Sequence, residues 1–192
     1  MKKSEKTEQT KEKLMRATFE LMQELDSPLE VTSRAIAQRA NIQAAMINYC
    51  FGSREALIFK VFQTMSLEHF EPSRQLNEIV QQDLSAKDKL KEVYFCVLKY
   101  LMLNEKFALA ITKYVLLNRD LTMDLHSFQF VYEHYKEQKS EQECKLIAYE
   151  LTSIFQLIIY RHKDLGVFCG LNLETDDELK IFISKQVDLF LV

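Results

Sequence analysis

Apolar residues recur along this chain at three- and four-residue spacing almost from end to end, the periodicity of amphipathic helices. Residues 5–25 place Leu14, Thr18, Leu21, Met22 and Leu25 on one stripe, and Asp26, Ser27 and Pro28 end that helix. Between Val31 and Ile58 the pattern shortens. VTSRAIAQRANIQAAMINYCFGSREALI reads as two short helices around a tight turn, followed by the start of another. Thr32 and Ser33 open the first, and Ile36, Ala37 and Ala40 form its apolar face. Asn41 stands where the chain must turn through positive φ, which Asn tolerates. Ile47 then falls where the second short helix packs back on the small Ala37, the close crossing of a helix-turn-helix. Gly52 and Ser53 cap a further helix bearing Leu57, Ile58, Val61, Phe62 and Met65.

Pro72, tolerated in a first helical turn and little further on, marks the expected domain boundary. Beyond it the helices lengthen. Ser85 and Asp88 cap a helix through about Leu103, in which Leu90, Val93, Tyr94, Val97, Leu98 and Leu101 cover so much of the circumference that burial on several sides is expected. Residues 107–118 are almost continuously apolar, and Leu121, Leu125, Phe128, Tyr132 and Tyr135 stripe the next helix. The strongest periodicity, Cys144, Ile147, Ala148, Leu151, Ile154, Phe155, Ile158 and Ile159, predicts a helix over about 141–163. A loop with Gly166 and Gly170 follows. Thr175 and Glu178 then predict a capping box for a last helix carrying Leu179, Phe182, Ile183, Val187, Phe190 and Leu191.

Composition agrees with an all-α chain: 47% hydrophobic residues with three Gly and two Pro leave few helix breakers. No run approaches the roughly 18 apolar residues of a membrane span, and the opening MKKSEKTEQTKEK lacks a signal-peptide core, which predicts a cytoplasmic protein with no membrane partner. The net charge of −3 divides unevenly. Residues 1–60 hold ten Lys and Arg against eight Asp and Glu, and residues 61–192 hold fifteen against twenty. A mildly basic front on an acidic body suits a nucleic-acid reader. Cys50, Cys96, Cys144 and Cys169 are too scattered for a zinc knuckle or a dithiol motif and read as reduced thiols.

Residues 8–68 resemble the DNA-binding domain of the TetR family of bacterial transcriptional regulators, through Thr32, Ile36-Ala37, Asn48-Tyr49, Phe51, Ser53-Arg54-Glu55 and Leu57. The chain departs from the family pattern at Asn41 for the turn glycine, Cys50 for a frequent His and Arg54 for Lys. Asn keeps the left-handed turn and Arg still offers phosphate a cation. The expected organisation is a helix-turn-helix domain over 1–70, with the motif at about 32–51 and a connecting helix at 54–70, and a helical effector-binding and dimerisation domain over 71–192.

Contact chemistry follows residue type. Thr32, with Ser33, and Arg54 at helix N-termini suit phosphate, where the helix dipole helps. Gln43, Ala44, Ala45, Asn48 and Tyr49 lie on the helix that would enter the major groove. Gln and Asn can pair with adenine edges, Ala can touch a thymine methyl, and the Tyr hydroxyl suits phosphate; alternatively Gln43 only caps the helix and Asn48 is only solvated. Arg34 and Arg39 read as exposed helix charges, with phosphate contacts as the alternative, and Lys2, Lys3 and Lys6 as a solvated terminus, with a loose arm near the DNA backbone as the alternative.

The resemblance implies a homodimer on an inverted-repeat operator in double-stranded DNA, its two last helices pairing with those of a second copy. Leu151, Ile154, Ile158, Phe182 and Phe190 are the apolar residues expected there, with core filling as the alternative. The resemblance also implies a small-molecule effector. Phe95, Met102, Phe107, Met123, Phe128 and Tyr132 could line its pocket, suggesting a hydrophobic or aromatic compound, though such residues also build cores.

Enzyme readings find no support. His69, His126, His134 and His162 lack ligand spacing, His126 and His134 standing roughly 12 Å apart along a helix. His162 with Asp164 reads as a surface pair, and no nucleophile stands beside a base. The expectation is an all-α regulator with no catalytic residues, metal or cofactor, a repressor released by its effector. The alternative is a helical sensor or interaction protein that works through a protein partner. A redox switch at Cys50 is a variant of the first reading.

Overall fold

The computed structural model describes residues 2–25, 30–68, 71–118, 121 and 125–192, with side chains for 5–25, 30–64, 74–118, 121 and 127–192. Among them run ten α-helices: α1 (Lys2–Glu24), α2 (Ser33–Ala40), α3 (Ala45–Phe51), α4 (Arg54–Glu68), α5 (Glu71–Gln81), α6 (Ala86–Leu103), α7 (Glu105–Asn118), α8 (Leu125–Tyr135), α9 (Glu141–Cys169) and α10 (Asp176–Phe190). No strand occurs among the described residues. The expected stop at Asp26, Ser27 and Pro28 and the side chain of Met65 lie outside the described residues. The chain divides into two units, one of Met1–Phe70 with Glu105–Val115, the other of Glu71–Asn104 with Leu116–Val192.

In the first unit the predicted stripe of α1 turns inward, with Leu14, Thr18, Leu21 and Met22 buried. They meet Val31, Ile36, Ile47, Leu57, Ile58 and Val61 in one core. The segment Glu105–Val115 of α7 completes that core. Phe107 lies 5.9 Å from Phe62 between ring centroids, Tyr114 lies 5.7 Å from Phe59, and Lys106 Nζ donates to the Leu25 carbonyl at 2.8 Å. An almost wholly apolar segment needs partners on several sides, and the N-terminal helices supply them.

In the second unit α6 packs against α5, α8, α9 and α10, as its broad apolar circumference requires. Ser85 caps it, Oγ accepting from the Asp88 backbone N–H at 3.1 Å. α8 is rotated from the expected stripe: Ser127, Phe130, Val131 and Tyr135 are buried, Phe128 is half-buried and Tyr132 is 46% exposed. Leu121, expected on that stripe, is an exposed turn residue before the helix. α9 runs beyond the expected end to Cys169, with non-helical backbone at Arg161 (φ −119°, ψ 17°). Gly166 is thus helical. A Cβ there would stand 2.8 Å from the Leu171 carbonyl oxygen, which folds back over the helix end, and Gly170 closes the turn at φ 68°. The expected surface pair of His162 and Asp164 does not form: His162 is buried, Nδ1 3.0 Å from the Ile159 carbonyl, and Asp164 pairs with Arg161.

The capping boxes also differ from expectation. Thr175 is the N-cap of α10, but its hydroxyl donates to the Asn172 carbonyl at 3.0 Å, and Glu178 accepts from the Asn172 backbone N–H. The full box belongs to α9. Ser140 Oγ accepts from the Glu143 N–H at 3.3 Å, and the Glu143 carboxylate accepts from the Ser140 N–H at 2.8 Å. The end of α10 is tied down within the unit, where Tyr135 Oη donates to the Phe190 carbonyl at 2.7 Å and Lys87 and Lys91 each stand 2.9 Å from Asp188.

Candidate nucleic-acid interface

The turn between α2 and α3 takes the backbone course that its residues suggest. Asn41 sits in the left-handed region at φ 53°, ψ 48°, and its N–H donates to the Gln38 carbonyl at 3.2 Å. The Ile42 N–H reaches back to Ala37 at 3.0 Å, so the last carbonyls of α2 are satisfied while the chain reverses. α3 then divides cleanly. Ile47 is wholly buried, Met46, Cys50 and Phe51 are partly buried against the same core, and Ala45, Asn48 and Tyr49 are exposed; Gln43 and Ala44, expected on the helix, are exposed just before it, and Ala44 rather than Gln43 is its N-cap. Tyr49 is 68% exposed.

The other expected contact residues stand at the N-termini of α2 and α4. Thr32 is the N-cap of α2, its Oγ1 accepting from the Ala35 N–H at 3.1 Å, which leaves its own O–H proton for an outside acceptor. Ser33, in the first turn, is half-buried. Arg54 opens α4, paired with Glu55 at 2.8 Å, and its Nη1 reaches the Val31 carbonyl at 3.5 Å. The guanidinium therefore bridges the start of α4 to the residue before Thr32, placing the N-termini of α2 and α4 side by side. Arg39 is committed elsewhere. It holds Glu24 of α1 through two hydrogen bonds of 2.9 and 2.7 Å, a contact across fifteen residues that helical spacing alone does not announce. That pairing pulls the Glu24 carboxyl below its ordinary range. Cys50, the candidate redox residue, is half-buried, and burial pushes its thiol above the ordinary value. A thiol held protonated is a poor target for oxidation, which counts against a switch there.

The expected effector residues fall in both units. Phe107 lies in the core of the first. Phe95, Met102, Phe128 and Tyr132 lie on α6 and α8 of the second, with the Lys180 ammonium 4.6 Å from the centre of the Phe95 ring. Met123 lies outside the described residues. Of the five residues expected to meet a second copy, Leu151, Ile158 and Phe182 are buried in their own unit, and Ile154 and Phe190 are half-buried. The opposite side of α9 carries an exposed apolar stripe, Leu146, Leu157, Tyr160, Val167 and Phe168, the last two 86% and 88% exposed. Its signal was present in the sequence as a second set at the same spacing, hidden by the stronger first set. Beside it a groove of about 570 Å³ runs between α9 and α10 over Ile154, Ile158 and Phe182.

Among the described residues no group of three or more His, Cys, Asp and Glu side chains could hold a metal ion, and no helix is long and apolar enough to cross a membrane. No family model matches the chain and no curated protein does. Among solved structures the chain is similar to a TetR-like transcriptional regulator from Rhodococcus sp. RHA1, at 17% identity over 93% of both chains with a TM-score of 0.54. A likeness at that identity is one of backbone course, and what the two chains share is an all-helical fold.

Proposed function

We propose that this chain is a sequence-specific DNA-binding transcriptional regulator, a homodimeric repressor of a palindromic operator that a small hydrophobic or aromatic effector releases. The observation that carries the reading is the outer face of α3. The five expected contact residues are all exposed, Ala45, Asn48 and Tyr49 on a short helix anchored by the buried Ile47 and Gln43 and Ala44 just before it, and Arg54 at the start of α4 reaches the Val31 carbonyl beside the start of α2. In this reading Gln43, Ala44, Ala45 and Asn48 meet base edges, while Thr32, Ser33, Tyr49 and Arg54 meet phosphates. One such head reads too few base pairs for useful specificity. Two heads about 34 Å apart on one face of the duplex read enough, and the exposed stripe of α9 with its neighbouring groove offers the surface for pairing.

The test is selection of bound sequences from a random duplex pool, with Tyr49→Ala and Arg54→Ala run alongside. The expected result is an inverted repeat, bound more weakly by either variant. Affinity for it falls by about 10³ to 10⁵ between 50 and 200 mM salt if some 6 to 10 phosphates are contacted. A folded protein that enriches no sequence overturns the reading in favour of a helical interaction protein working through a protein partner.

A further inference from the structure

One face of α9 is complementary to itself when reversed. Leu157, Arg161, Asp164 and Phe168 recur at steps of four, three and four residues, the spacing of a single helix face. They stay on one face although the backbone leaves helical geometry at Arg161, since all four line the groove of about 570 Å³ between α9 and α10. Leu157 and Phe168 are exposed, whereas Ile158 and Phe182, which also line it, are buried. The two charged side chains between them are exposed as well. Arg161 Nε and Nη2 share one oxygen of Asp164, Oδ2, at 3.3 and 3.2 Å, so that Asp164 Oδ1 and Arg161 Nη1 stay open to a further partner.

We propose that a second copy of the chain docks on this face with its α9 antiparallel to the first, the twofold axis passing between His162 and Lys163. Leu157 then lies opposite Phe168 of the second copy, and Arg161 opposite its Asp164; the twofold repeats both contacts. Charge and size select this register. A parallel arrangement sets Arg161 against Arg161 and Asp164 against Asp164, like charge against like. Sliding the antiparallel pair by one turn sets a charge against Leu157 or Phe168. In the stated register every member meets its complement over about 16 Å of each helix, and the open Asp164 Oδ1 and Arg161 Nη1 link the two ion pairs into one network of alternating sign. Polar residues set within an apolar seam fix register in the same way in coiled coils. The proposal rests on the homodimer reading above and narrows it to one register with named pairs.

A charge exchange between copies of the full chain decides it, read by light scattering and native mass spectrometry on wild type, Arg161→Glu, Asp164→Arg and an equimolar mixture of the two variants. Wild type should measure two chains. Arg161→Glu leaves only carboxylates at the charged centre of the contact and Asp164→Arg only guanidinium groups, so each variant alone should pair about tenfold more weakly or worse and move toward one chain. The mixture should return to two chains, one of each variant, because every facing pair is again opposite in sign. That recovery also requires both variants to be folded. If wild type measures two chains and either variant keeps that mass by itself, or the mixture fails to recover it, the register is overturned while the homodimer stands. If wild type measures one chain, the homodimer reading falls and the register falls with it.

Discussion

Asn41 does with a side chain what glycine does by lacking one. At φ 53° a residue with an ordinary Cβ is disfavoured by about 1–2 kcal/mol, a cost that the short polar side chain of Asn reduces. Asn41→Ala is therefore expected to destabilise the first unit by about 1 kcal/mol, while Asn41→Gly leaves stability near wild type. Thermal unfolding of the two variants side by side tests this, and equal losses would show that the side chain rather than the backbone matters. Asp188 makes a different demand. Hydrogen bonds from Lys87, then Lys91, hold its carboxyl below the ordinary range. A carboxyl lowered in the folded state adds stability above its unfolded value, roughly 3.9, and that stability is lost as pH falls through the lowered folded value. Urea unfolding of Asp188→Asn should show the variant weaker than wild type at neutral pH and the two converging in acid. A gap that persists unchanged in acid would remove the charge from the explanation. Asn41 was legible in the sequence, because a turn between two short helices needs one residue at positive φ. The lysines facing Asp188 were not, since nothing local links residues about a hundred positions apart.

At the scale of the element, helix starts show what spacing can announce. A Ser or Thr followed three residues later by an acid or amide describes both Ser140 with Glu143 and Thr175 with Glu178. Only the first pair closes reciprocally. At the second, the chain folds so that Glu178 meets the backbone of Asn172 and Thr175 donates rather than accepts. Ser140→Ala should thus cost about 1 kcal/mol of stability and Thr175→Ala less, a difference readable in chemical denaturation. Comparable losses would mean that the two caps do equal work. The length of α9 was hidden for a related reason. Gly166 reads as a breaker, yet in the fold it is the residue whose missing side chain lets the Leu171 carbonyl close over the helix end.

At the scale of the molecule, the two faces of α9 separate core from surface. Leu151 is fully buried, so Leu151→Ala should cost about 2–5 kcal/mol through transfer and cavity terms. On the proposed reading that this exposed face pairs two copies, Leu157→Glu should leave Tm almost unchanged in dilute protein and shift the mass measured by light scattering from two chains to one, with weaker binding to any selected operator. A variant that keeps the wild-type mass would place any pairing surface elsewhere. The sequence by itself determined the all-helical character, the helix-turn-helix between Thr32 and Phe51, and which side of α3 faces outward, because these follow from local periodicity, capping and one turn residue. Tertiary structure alone decided the rest. That Glu105–Val115 belongs to the core of the first unit, that Arg39 is spent on Glu24, that α8 is rotated toward Ser127 and Val131, and that the stronger stripe of α9 is interior all depend on contacts between residues far apart in the chain. Periodicity names the faces of a helix, and only packing says which neighbour each face meets.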